Sequence, residues 1–204
     1  MASMPERLGI LGGAFDPPHV GHLILGETAR QQCTLDRVLF LPTGQPPHKQ
    51  EQIVTPGHHR LEMTRLAVAD HESFATSTID MDRPPPHYTS SLRPILAKAY
   101  PSAHLILVVG GDSLSDLPAW HEPQSILRHW EIAVLPRPGI ELDWNQLEES
   151  VPGIRAATTI LDGPSVAISS TQIRRWVRAG CSLRYLMPTR AARYIMENGL
   201  YAHE

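Results

Sequence analysis

Short apolar runs alternate with longer stretches of helical periodicity along almost the whole chain, and no other feature restricts the fold so strongly. RLGIL (7–11), RVLFLP (37–42), FATSTID (74–80), HLILVVG (104–110), EIAVLP (131–136) and IRAATTIL (154–161) read as strands. Residues 20–33, 56–70, 91–100, 170–179 and 188–198 read as helices. Strands separated by helix-sized segments need crossover connections. The alternation therefore predicts an α/β fold, a doubly wound and mostly parallel sheet with the C-terminal helices packed at one end. In such sheets ligands sit beyond the carboxyl ends of the strands. The loops at 12–19, 42–49, 110–121 and 162–170 are thus expected to converge on one crevice.

The 204 residues suit one domain, 1–204, with 165–204 as its C-terminal helical portion. The composition, 42% hydrophobic and 19% charged, is that of a globular chain. A net charge of −3 argues against a nucleic-acid partner. The longest apolar runs, such as LILVV, are too short to span a bilayer, and MASMPERLGILGG lacks the parts of a signal peptide, so no membrane association is expected. Cys33 and Cys181 make neither a disulfide framework nor a zinc site; a reducing cytoplasm is the default and no protein-held metal is expected. Only Lys49 and Lys98 among the 18 basic residues are lysines, which draws attention to the Pro-rich loop around Lys49.

The unusual chemistry lies in the predicted crevice loops. GGAFDPPHVGHL (12–23) follows the first strand. Gly12 and Gly13 permit a tight turn, two prolines stiffen it, and Gly21 leaves backbone N–H groups at a helix start free to face an anion. His19 and His22 flank that helix start and suit phosphoryl charge. ISSTQIR (168–174) places Ser169 and Ser170 at another helix start, with Arg174 one turn on; alone it would pass for an ordinary N-cap. LPTGQPPHK (41–49) sets His48 and Lys49 either over the crevice mouth or on a solvated loop. In GGDSLSDLPAW, Asp112 stands at a strand end, where it can accept from ribose hydroxyls or serve metal-bound phosphates. Trp120 offers a flat face to a heteroaromatic ring, or to the core. Arg137 in LPRPG lies on a further strand-end loop.

The first of these segments resembles the nucleotidyltransferase signature GGxFDPxHxGH, a form of the (H/T)xGH motif, and ISSTQIR resembles the ISSTxIR signature of the same superfamily. With LPTGQPPHK, HRLEMTRLA, PHYT, GGDSLSDLPAW, LPRPG and the terminal YIMENGLY, nearly the whole chain is similar to the bacterial nicotinate mononucleotide adenylyltransferase family. Ala14 stands where Ser is usual, and from the shared Tyr-Thr to the Leu this chain's YTSSL is one residue shorter than the YTxDTL of the family's SYTxDTL, which leaves two correspondences for Thr89. The resemblance implies a Rossmann-like nucleotidyltransferase fold and adenylyl transfer from ATP, with Mg²⁺, to nicotinate mononucleotide, giving deamido-NAD and pyrophosphate. It implies catalytic roles for His19, His22, Lys49 and Arg174. ATP would meet Gly12, Gly13, Ala14, Phe15, His19, His22, Gly110, Asp112, Arg137, Ile168, Ser169, Ser170 and Arg174. The acceptor would meet Asp16, His48, Lys49, Thr89 and Trp120. Homo-oligomerisation stays open. Other readings are a transferase acting on phosphopantetheine, nicotinamide mononucleotide or a cytidylyl acceptor, a non-catalytic nucleotide-binding module, and a tRNA-charging fragment. Trp120, the intact His19, His22 and Arg174, and the short chain weigh against these.

Overall fold

The computed structural model describes residues 5–45 and 55–202. Six strands form one sheet: β1 (Arg7–Gly13), β2 (Arg37–Pro42), β3 (Phe74–Thr76), β4 (His104–Gly110), β5 (Glu131–Leu135) and β6 (Thr158–Ile160). Their order is β3-β2-β1-β4-β5-β6 and every pairing is parallel. Nine α-helices occur among the described residues: α1 (Val20–Gln32), α2 (Gly57–Val68), α3 (Ile79–Asp82), α4 (Thr89–Ala99), α5 (Gly111–Ser115), α6 (Pro123–His129), α7 (Trp144–Ser150), α8 (Ser170–Arg178) and α9 (Thr189–Glu197). This is the predicted α/β architecture, a parallel sheet with helices on both faces.

Side chains alternate across the pleat, and the central strands are apolar on both faces because both faces are covered. Leu8, Ile10, Leu105, Leu107, Ile132 and Val134 point to one core, closed by Leu92, Leu96, Ile126 and Leu147 from α4, α6 and α7. Leu11, Val38, Phe40, Ile106, Val108 and Ala133 point to the other, closed by Leu25 and Ala29 of α1. The C-terminal helices build a third cluster: Ile173, Ala191, Ile195 and Tyr201 pack with Met63 and Ala67 of α2.

The chain proceeds from β1 outward to β3, then returns beside β1 with β4 and proceeds the other way. Strand order therefore reverses between β1 and β4. The loops leaving those strands diverge to opposite faces and open a crevice at their carboxyl ends.

Two predicted strands are shorter than their sequence pattern. Residues 74–80 alternate, but only Phe74–Thr76 pairs; Ile79–Asp82 turns into a helix, with the Asp80 side chain held by Arg83. Of 154–161, only Thr158–Ile160 is strand. The preceding turn is pinned by Glu148, whose carboxylate accepts from the Gly153 and Arg155 backbone N–H groups. Ile154 is buried all the same, as a turn residue. No helix among the described residues is long and apolar enough to cross a membrane.

Candidate active site

A cavity of about 620 Å³ occupies the crevice. The loops leaving β1, β2, β4 and β5 line it, together with the segment entering α8, so the predicted convergence holds among the described residues. His48 and Lys49 lie outside the described residues.

The β1 loop is packed from within. Phe15 is buried with φ +48. Its ring lies where a side chain at position 13 would begin: a Cβ on Gly13 would come within 3.3 Å of it. The same ring meets His22 edge-on at 5.0 Å between centroids. Gly21 is required for a similar reason, since a Cβ there would meet His19 Nδ1 at 3.0 Å and Ile168 Cγ2 at 3.2 Å. A side chain at position 21 would thus push His19 out of place.

His19 and His22 do meet. Their rings stack at 3.7 Å between centroids. The His19 backbone N–H donates to His22 Nδ1 at 3.1 Å. That bond leaves the proton of neutral His22 on Nε2, as a donor. Burial pushes the His19 imidazole down to about 4, and the positive charge of Arg137 adds to the effect against a smaller opposing pull from Asp112. Burial, then His19 and Arg137, hold His22 well below the usual imidazole range. Both rings are therefore neutral near pH 7.

Arg137 joins three segments. It donates to Asp112 Oδ2 at 2.9 Å and to the Ile168 carbonyl. Beyond Ile168, Ser169 caps α8: its hydroxyl accepts from the Gln172 N–H, and its own N–H donates to Gln172 Oε1. Ser170 Oγ donates to the Pro17 carbonyl at 2.8 Å and Arg174 Nη1 to the Asp16 carbonyl at 2.7 Å. The serines and Arg174, expected at ATP, do line the cavity, yet these bonds tie α8 to the β1 loop.

Asp16 also lines the cavity, but its carboxylate is buried and engaged internally. Oδ1 accepts from the Tyr201 hydroxyl at 2.7 Å and Oδ2 from the Thr55 N–H at 3.2 Å. Burial and the adjacent Asp16 charge push the Tyr201 phenol up, so it remains a donor.

At the other end of the cavity stand Thr89, the first residue of α4, and Trp120, which packs against the core cluster that includes Leu92 and Leu117. Tyr88 and His121 stack face to face at 4.1 Å, tying their two segments together. Gly12, Gly13, Ala14 and Gly110 are on the wall as expected.

Two arginines that build this site went unassigned in the sequence. Arg60 is 2% exposed and, among the described residues, donates to four carbonyls: Thr55 (2.8 Å), Ala14 (2.9 Å), Thr43 (2.7 Å) and Gly44 (2.8 Å). It sits at helical spacing with the buried Met63, Thr64 and Ala67, and an Arg on such a stripe was the available signal. Arg83 forms a buried ion pair with Asp80 at 2.6 Å.

Residues 10–176 match the family described as cytidylyltransferase-like. The chain is 44% identical over 196 residues to a probable nicotinate-nucleotide adenylyltransferase of Thermomicrobium roseum, covering 96% of this chain and 92% of the relative. It is 42% identical to one from a Roseiflexus species, over 98% of this chain and all of the relative. Its fold superposes on the nicotinic acid mononucleotide adenylyltransferase of Plasmodium falciparum complexed with NaAD, with a TM-score of 0.79, 16% identity and 98% of both chains covered.

Proposed function

The chain belongs to the cytidylyltransferase-like family, and from that premise we propose that its cavity transfers the adenylyl group of ATP to nicotinate mononucleotide, giving deamido-NAD and pyrophosphate in NAD biosynthesis. The observation that carries this reading is one cavity with two unlike ends. One end holds paired neutral imidazoles, Arg137 and the start of α8; the other holds Trp120 and the start of α4.

An oxygen of the acceptor's 5′-phosphate attacks the α-phosphorus of ATP, and the bond to the β-phosphate oxygen breaks. The nucleophile is already ionised, so no protein base and no covalent intermediate are required. The protein's work is positioning and charge stabilisation. His19 and His22 donate to the α-phosphate as charge builds there. Neutral imidazoles suit this role, because a donor already carrying its proton needs no protonation step. Ser169, Ser170 and Arg174 receive the departing pyrophosphate beside the partial positive charge at the start of α8. His48 and Lys49 lie outside the described residues and are proposed as further donors. Asp112 serves the ribose, and Trp120 stacks on the pyridine while backbone donors at Thr89 meet its carboxylate.

Among the described residues no group of three or more His, Cys, Asp or Glu could cage an ion. A Mg²⁺ brought with ATP would supply neutralisation of phosphate charge at this site. Asp112, a carboxylate on the cavity wall beside Arg137, would be the residue to hold that ion. Two free cysteines, one of them exposed, suit a reducing cytoplasm.

Pyrophosphate release from ATP and a panel of acceptor phosphates tests the assignment. Release should depend on nicotinate mononucleotide. Release driven equally well by phosphopantetheine would move the chain to another member of the superfamily, and no release with any acceptor would leave a nucleotide-binding module.

A further inference from the structure

We propose that Arg83 is a positioning residue: it aims the Thr89 backbone N–H into the cavity and thereby sets how strongly the enzyme prefers a carboxylate over an amide on the pyridine ring of its acceptor. The inference rests on the acceptor reading above.

The guanidinium is spent on protein. The Arg83 side chain is 7% exposed, beside Asp80 at 5%. Nε donates to Asp80 Oδ1 at 2.7 Å, Nη1 to Ser91 Oγ at 2.8 Å, and Nη2 to the Tyr88 carbonyl at 3.0 Å. The Ser91 hydroxyl then donates to that same carbonyl at 3.0 Å, and the Ser91 backbone N–H donates to it at 3.2 Å. Three donors thus hold the Tyr88 oxygen.

That oxygen belongs to the peptide unit whose N–H is Thr89's. The unit is trans; among the described residues the cis bonds are Asp16–Pro17 and Pro85–Pro86. In a planar trans unit the C=O and the N–H point in opposite directions. Fixing the Tyr88 oxygen therefore fixes where the Thr89 N–H points. Thr89 opens α4, so its N–H has no acceptor inside the helix, and the residue lines the cavity with Trp120.

A carboxylate presents an acceptor to this donor in either orientation, and the bond is charge-assisted. An amide must turn its oxygen toward the donor or place its own NH₂ against it. A rigid donor penalises the amide more than one free to swing away, so the preference depends on what holds the peptide. Lysine could replace the charge beside Asp80, but a single ammonium cannot reach Asp80, Ser91 and the Tyr88 oxygen in three fixed directions.

The test compares wild type with Arg83→Lys and Arg83→Gln. It measures kcat and KM for nicotinate mononucleotide, nicotinamide mononucleotide and ATP, with thermal melts to show that each variant is folded. Both variants should raise the nicotinate mononucleotide KM and cut the nicotinate-to-nicotinamide efficiency ratio by about tenfold or more, with the ATP KM within about twofold. A wild-type ratio in Arg83→Lys would show that charge alone suffices and would overturn the proposal. An unchanged ratio with acceptor and ATP efficiencies falling together would reduce Arg83 to general support. If neither variant folds, Ser91→Ala decides: Ser91 is exposed, and losing its hydroxyl should lower the same ratio by roughly two- to fivefold, whereas no change overturns the proposal. Wild-type enzyme unable to use nicotinate mononucleotide would remove the acceptor reading itself, and this inference with it.

Discussion

Replacing Arg60 with Met keeps most of the stem's volume and removes the guanidinium. Four bonds to carbonyl oxygens disappear, at 2.7–2.9 Å, from a side chain only 2% exposed. Each bond to a charged group contributes about 1.5–3 kcal/mol net, so a plain sum would run to roughly 6–12 kcal/mol. Two effects reduce it. Burial already penalises the charged form of Arg60, and that cost vanishes with the charge. Water and small shifts of the loops will also satisfy part of what is left. The expected net cost is that of breaking a buried charged network, about 3–5 kcal/mol. A chain of 204 residues loses about 2–4 °C of Tm per kcal/mol, so Tm should fall by roughly 6–20 °C. The carbonyls released include Ala14, in the loop that carries His19, so turnover should fall below the melting range as well. Circular dichroism melts at pH 7, with turnover measured at 20 °C or more below each midpoint (roughly a safe margin for a folded population), read both effects. A Tm within about 3 °C of wild type together with normal turnover would refute the claim that this guanidinium holds the two loops in place.

Three further outcomes follow from the same site. His22→Ala should lower turnover by roughly 10²–10³-fold with the fold intact by circular dichroism, as loss of one preorganised donor does; near-normal turnover would sink the assignment. Arg174→Lys keeps the charge but loses the fork that reaches the Asp16 carbonyl. Calorimetry should show weaker ATP binding and little change for the acceptor alone; the opposite pattern would reverse the roles of the two ends. Because the His19 imidazole is pushed down to about 4 in the folded protein, the unfolded chain binds more protons below about 6.5. The stabilisation is full above that pH and is lost as pH falls through 4, with roughly 3 kcal/mol at stake. Urea titrations at pH 7 and pH 4.5 (a pH roughly within that window) should show the loss in wild type and a shallower loss in His19→Gln; parallel curves would remove the cause.

What the sequence disclosed and what it hid differ in physical kind. Gly13, Gly21, His19 and His22 lie within one short segment, and the contacts that demand glycine there are made almost wholly inside it. Local spacing was enough. The strand-end loops could be placed together because alternation fixes the sheet, and the sheet fixes which ends share a side. Arg60 was hidden because the carbonyls of Ala14, Thr43 and Gly44 are brought to it only by the tertiary fold; Arg83 finds Asp80, Tyr88 and Ser91 close by in sequence, across a turn whose geometry no motif marks. A carbonyl has no residue type, so no motif announces it. Asp16 lines the cavity as its residue type suggested, and the structure adds what the type could not announce: its carboxylate accepts from the Tyr201 hydroxyl and the Thr55 N–H. The strand expected over 74–80 stops at Thr76. FATSTID alternates well, but the Asp80–Arg83 pair and the Thr78–Asp82 hydrogen bond favour a helical turn once β3 has paired.

The most direct test of adenylyl transfer follows the α-phosphorus. ATP labelled there is incubated with the protein, Mg²⁺ and nicotinate mononucleotide, and the products and the protein are separated. The account predicts label in the dinucleotide, one unlabelled pyrophosphate released for each dinucleotide formed, and no label on the protein when the acceptor is omitted. Label released as AMP whether or not the acceptor is present, or label retained on the protein without it, would contradict direct transfer between two nucleotides bound in this cavity.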